Sequence, residues 1–309
     1  MEPARAAYDK RVFDSIDDVA AKLAAQSYFA DRDIATTVYL SSRLNKPMFL
    51  EGEAGVGKTE VAKALAAALG TKLIRLQCYE GLDAGHALYE WNYAKQLLRI
   101  KLAESGGEKT ADVERAIFSE EFLIKRPLLE ALTTPGPVPP VLLIDEVDRA
   151  DEEFEAFLLE ILGDFQITIP ELGTIKAEVP PLVVLTSNRT REIHDALKRR
   201  CLYLWIGYPG FEREHEIVMA RVPGINKALA GQLCNFMEAV RREDFYKKPG
   251  VAETIDWGMA LVALHRNELD PEIVNETLGC IFKYTDDIER FRSRDYFRKL
   301  SERRIDVTG

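Results

Sequence analysis

The chain has 309 residues, 47% of them hydrophobic, enough to bury a substantial core and to suggest two domains. Its formal net charge is −10, which argues against broad, sequence-independent binding to nucleic acid, because that needs lysine and arginine to neutralise phosphates. No apolar run is long enough to span a bilayer, and Met1–Arg5 lacks the apolar core of a signal peptide, so a soluble, cytoplasmic protein is expected. Four separated cysteines, Cys78, Cys201, Cys234 and Cys280, show no CxxC spacing and read as buried thiols.

In chain order, residues 13–44 read as helices. Asp14–Asp18 offers caps before Val19 and Leu23, and Asp31 or Asp33 caps a helix carrying Ile34, Val38 and Leu44. An apolar run, Pro47–Leu50, then enters Gly52-Glu53-Ala54-Gly55-Val56-Gly57-Lys58-Thr59-Glu60, which opens a helical segment from Val61 to Leu69. Strand, glycine-rich turn and helix in that order form the context of the GxxxxGK[ST] phosphate-binding pattern. Gly52 and Gly57 let the backbone curl round a phosphate chain, and the amides and helix N-terminus face the anion. Lys58 would reach the β- and γ-phosphates, and the Thr59 hydroxyl would ligate Mg²⁺. The stretch 52–60 is the expected ATP site. Ile34, just upstream, either contacts the base or covers the sheet edge.

Lys72–Cys78 reads as a strand. Ala87, Leu88, Trp91, Ala94 and Leu98 at helical spacing predict an inserted helix over residues 84–102. Tyr89 and Tyr93 on it serve either packing or a substrate grip. A second helical region reaches Leu132, and four prolines in 133–140 mark a loop.

Val141–Ile144 is a continuously apolar run suited to a central parallel strand, and it ends in Asp145-Glu146. Ligands gather at the C-terminal ends of such strands. Asp145 would hold Mg²⁺ through its water shell, and Glu146 would orient or deprotonate the attacking water. An acidic amphipathic helix follows from Asp151, and Gln166–Glu178 reads as a β-hairpin about Gly173. Leu182–Thr186 is a further strand. Asn188 beyond it either binds water or γ-phosphate, or caps an Asx turn. Lys198-Arg199-Arg200 precedes the last strand, Cys201–Ile206. These cations are either a solvated rim or supply an arginine to a neighbouring subunit's γ-phosphate, Arg200 first and Arg199 second. The expected boundary is Tyr208-Pro209-Gly210, giving domains 1–210 and 211–309. The second is helical and ends in a polar tail from Arg298.

These motifs in this order resemble an AAA+ ATPase, and the hairpin and the insert after the second strand look like the MoxR branch. The resemblance implies an αβα sandwich with sheet order 5-1-4-3-2, an α-helical lid and a hexameric ring. Gln166–Glu178 would be the presensor hairpin, and the family's glutamine-or-asparagine switch would fall near Gln77. Leu50–Lys63, Asn188–Glu192, Asp195–Tyr203 and Ala252–Trp257 are similar to CoxD-type members. That group implies maturation of a molybdenum hydroxylase such as carbon monoxide dehydrogenase, with a von Willebrand A-domain adaptor. A nucleic-acid motor or clamp loader is the alternative use of the same engine. Where MoxR relatives carry a lid arginine after Ser-Pro, this chain has Glu253-Thr254, which puts lid-coupled closure in question.

Overall fold

The structure, a computed structural model, describes residues 12–106 and 110–293; the expected tail from Arg298 lies outside them. The described residues form two compact units. One comprises 12–26, Ala30–Glu51 and Thr59–Trp205; the other comprises Ser27–Phe29, Gly52–Lys58 and residues 206–293. The division thus falls at Trp205 and Ile206 rather than at 210, and it groups the glycine-rich turn with the C-terminal helices.

The first unit is built on a parallel sheet. Its strands are β1 (Met48–Glu51), β2 (Leu73–Gln77), β3 (Val141–Asp145), β4 (Leu182–Ser187) and β5 (Leu202–Trp205). Their order across the sheet is β2-β3-β4-β1-β5, the expected 5-1-4-3-2 arrangement. β3 and β4 are buried along their whole length, as a strand covered on both faces must be, whereas the edge strand β2 alternates. That alternation leaves Arg75 and Gln77 exposed while Ile74 and Leu76 enter the core. Register sets Gln77 opposite Asp145 and Glu51 opposite Ser187, so the polar ends of four strands collect along one edge.

Phe49, Leu142, Ile144, Val183 and Leu185 pack with Phe154, Leu158 and Leu162 from helix Glu152–Asp164. Asp151 starts that helix by accepting the Phe154 amide at 2.8 Å. Upstream, Ser15 and Asp31 cap the first two helices, Ile16–Ala24 and Arg32–Leu44, in the same way.

The single helix expected over 84–102 does not form. The segment is a short helix, Ala84–Leu88, a strand, Tyr89–Trp91, and a helix, Tyr93–Gly106. Tyr89–Trp91 pairs antiparallel with Leu123–Lys125, and strand pairing overrides the helical spacing there. Tyr89 is half-buried beside Trp91, while Tyr93 is exposed, so the two do not share a helix face. Gln166–Ile169 and Gly173–Lys176 form the antiparallel hairpin, turning at Gly173 with φ +81°.

The C-terminal unit packs helices Phe211–Arg221, Lys227–Arg242, Val251–Ala263, Pro271–Glu276, Leu278–Ile281 and Thr285–Ser293. Its core centres on Trp257, Phe236, Phe282 and Phe291, and the Trp257 indole donates to Thr277 Oγ1 at 2.8 Å. No helix among the described residues is long and apolar enough to cross a membrane.

Candidate nucleotide site

The turn Gly52–Lys58 belongs to the C-terminal unit and is shaped by close contact. Gly55 and Gly57 take φ +78° and +96°, and a side chain at Gly52 would meet the Ile206 carbonyl oxygen at 2.1 Å. Ala54 and Glu53 are exposed and Val56 is buried. The Lys58 ammonium, itself buried, donates to the Gly52 and Glu53 carbonyls at 2.7 and 2.6 Å. On the turn's other side, Val251 and Ala252 donate their amides to the Gly55 carbonyl at 2.9 and 3.2 Å. Tyr28 approaches to 4.0 Å of the position a Cβ on Gly57 would take. Ile34, expected at the base, is instead 1% exposed, so its side chain offers a ligand no surface. Glu60 pairs with Lys63 on the helix surface.

The carboxylates lie in the first unit. Asp145 Oδ1 accepts from the Thr59 hydroxyl at 3.0 Å and from Thr186 at 2.6 Å. A hydroxyl and a carboxylate oxygen this close are the hard donors Mg²⁺ takes when substrate phosphates complete its shell. Glu146 stands in the left-handed region, φ +54°, where a non-glycine residue is strained by about 1–2 kcal/mol. Its amide is held by Thr186 Oγ1 at 3.0 Å. Asn188 Nδ2 donates to Glu146 Oε1 at 3.2 Å, and Gln77 Nε2 donates to Oε2 at 3.1 Å. The Asn188 loop is fixed from below by buried Asp148, which accepts the Asn188 and Thr190 amides and the Thr190 hydroxyl. Asp145, Glu146, Asn188 and Gln77 therefore stand together at one sheet edge.

A phosphate turn on β1 and a paired Asp-Glu at the end of β3, in this strand order, are the parts of an ATP-hydrolysing domain. Residues 47–201, half of the chain, match the AAA domain family, dynein-related subfamily. The chain belongs to that family. It is an AAA ATPase, with ATP as substrate and Mg²⁺ as its cofactor.

Among curated relatives, this ATPase is 25% identical over 205 residues to an uncharacterized protein of Staphylococcus haemolyticus, covering 64% of this chain and 69% of that one. It is 26% identical over 172 residues to an uncharacterized protein of Staphylococcus aureus strain USA300, covering 53% of this chain and 57% of the relative. Solved structures similar to it include a Thermotoga maritima RuvB mutant, at TM-score 0.47, 17% identity, 86% of this chain and 70% of that one. A second is the Thermotoga maritima RuvB Holliday junction branch migration motor, at TM-score 0.42, 16% identity, 86% of this chain and 71% of that one.

Arg199 and Arg200 sit apart from the AAA domain's carboxylates. They are exposed at the end of helix Asp195–Arg200 and line a cavity of about 610 Å³ with Lys46, Asp164 and Gln166. The Arg200 guanidinium lies over Gly163, where a Cβ would meet Nη1 at 2.8 Å. Register puts Leu202 level with Met48, Val184 and Leu143. Leu202, two residues beyond Arg200, therefore stands about 14 Å from Leu143 across three strand spacings, on the N-terminal side of Asp145. No arginine side chain spans that distance.

Sequence reasoning missed Arg75, Thr186, Asp148 and Tyr28. Strand alternation carried a signal for Arg75, placing it on the same face as Gln77. The other three depend on contacts between segments far apart in sequence. At the start of helix Val251–Ala263, Glu253 caps its own helix by accepting the Gly250 amide at 2.8 Å, and Thr254 joins a buried Arg241–Glu214 pair.

Proposed function

We propose that this ATPase is a MoxR-type, CoxD-like remodelling chaperone acting as a cytoplasmic hexameric ring on a metalloenzyme during cofactor maturation. The client class is a molybdenum hydroxylase such as carbon monoxide dehydrogenase, reached through a von Willebrand A-domain adaptor. The similarity of Leu50–Lys63, Asn188–Glu192, Asp195–Tyr203 and Ala252–Trp257 to CoxD-type sequences supports the client.

Turnover is supported by one observation above all: Glu146 is gripped by Gln77 and Asn188 at 3.1 and 3.2 Å beside Asp145. In this reading the amides of Gly52–Gly57 and the Lys58 ammonium bind the phosphates. Thr59 and Asp145 would hold Mg²⁺, which would supply positive charge against the phosphates. Glu146 takes the proton of the attacking water, and Asn188 orients that water or the γ-phosphate. Arg200, backed by Arg199, serves a neighbour's γ-phosphate, because its own subunit's Asp145 is out of reach. Such an arginine contributes on the order of 10³- to 10⁵-fold in rate.

Glu146→Gln should bind ATP without turnover and accumulate as rings in light scattering. The wild-type chain should be stimulated by its adaptor, and its deletion should lower the client's metal content. Stimulation by nucleic acid with a steep salt dependence would instead favour a motor. Normal client metal after deletion would sink the chaperone reading.

A further inference from the structure

Asp145 has no acceptor capacity left. Oδ1 receives the Thr59 and Thr186 hydroxyls, and Oδ2 receives Arg75 Nε at 3.1 Å and Nη2 at 2.5 Å. A carboxylate offers about four acceptor sites, so any new partner of Asp145 must displace one of these. Thr186 is 1% exposed and also holds the Glu146 amide. Thr59 supplies an oxygen suited to the same cation. Arg75 is the candidate to leave: its side chain is 50% exposed, and its charge opposes a cation.

Arg75 has a second contact. Nη2 also donates to Gln77 Oε1 at 2.6 Å, because residues two apart on β2 share a face. Gln77 Nε2 in turn holds Glu146 Oε2. A single guanidinium therefore bridges the cation-binding carboxylate and one of the two side chains that hold the catalytic one.

We propose that Arg75 is a positioning residue that couples divalent-cation binding at Asp145 to the release of Glu146. With Arg75 on Asp145, Gln77 is anchored and Glu146 is held. With Arg75 displaced, Gln77 loses its anchor and Glu146 keeps only the Asn188 contact on Oε1, leaving Oε2 free to turn to the attacking water. The inference rests on the ATPase reading of the site and adds an interlock to it.

The test uses the full chain, a non-hydrolysable ATP analogue and Mn²⁺ followed by electron paramagnetic resonance. Arg75→Gln should bind Mn²⁺ about tenfold more tightly, equivalent to ~1.4 kcal/mol, since no guanidinium competes for Asp145. Arg75→Lys keeps a competing charge, but its nitrogen stops one bond short of Nη2, the single atom that reaches both Asp145 and Gln77. Its Mn²⁺ affinity should stay near wild type while kcat shifts to that of Gln77→Ala. Arg75→Gln and Gln77→Ala should be non-additive in kcat. Unchanged or weaker Mn²⁺ binding in Arg75→Gln, with analogue binding and thermal unfolding intact, would overturn the coupling, as would additivity. A wild-type chain that failed to bind the analogue would refute the nucleotide site itself.

Discussion

Thr186 shows how much of this site hangs on single atoms. Its hydroxyl donates to Asp145 and accepts the amide of Glu146, whose left-handed backbone needs that support. Thr186→Val keeps the shape and removes both bonds, leaving a buried carboxylate oxygen short of one donor. It should cost about 1–3 kcal/mol in denaturant unfolding and lower kcat more than it raises KM for ATP. The cysteines act in the opposite sense, by being inert. Burial pushes the Cys78, Cys201 and Cys234 thiols up to about 12, with the Asp145, Asp148 and Glu146 carboxylates adding to the effect at Cys78. The folded state keeps these thiols protonated, whereas the unfolded chain ionises them near the ordinary value of 9.0. These thiols should therefore lower stability between pH 9.0 and about 12 and add no pH dependence below that window. Equilibrium unfolding against pH checks the sign, and native thiol alkylation near pH 8 should spare all three.

At the scale of elements, the helix Val251–Ala263 fixes the phosphate turn within the C-terminal unit. Its first amides take the Gly55 carbonyl. In a trans peptide the carbonyl and the following amide point in opposite directions, so this grip aims the Val56 N–H away from the helix. Gly250 makes the approach possible: its backbone, φ −84° and ψ −175°, suits any residue, but a Cβ would stand 2.8 Å from Ala54 O and from Gly55 Cα. Gly250→Ala should weaken ATP binding by about tenfold, equivalent to ~1.4 kcal/mol, read by titration with a fluorescent ATP analogue. An unchanged affinity would show that the helix does not shape the turn.

At the scale of the whole molecule, the sheet separates two chemistries. The carboxylates gather at the C-terminal ends of the strands, and the arginines stand before the N-terminal end of β5. The role proposed for Arg200 on a neighbour's γ-phosphate can be tested by mixing subunits. Arg200→Ala should abolish turnover while leaving ATP affinity within about threefold. Mixing it with Lys58→Ala subunits should restore part of the activity, since each variant supplies what the other lacks. No restoration would point to a purely structural Arg200, consistent with its seat over Gly163.

What the sequence determined by itself were the features carried by contiguous residues. The glycine turn, the apolar runs of β1, β3 and β4, and the paired Asp145-Glu146 are local patterns whose chemistry follows from spacing, and the sheet order came with the family resemblance they support. Tertiary structure decided what depends on pairing across the chain. Tyr89–Trp91 became a strand because a partner at 123–125 was available, against its helical spacing. Ile34 went into the core, and Tyr28 came beside Gly57. Most of all, the bridge from Asp145 through Arg75 and Gln77 to Glu146 exists only because β2 pairs with β3 in one register. A shift of one residue would have turned Arg75 and Gln77 to the other face.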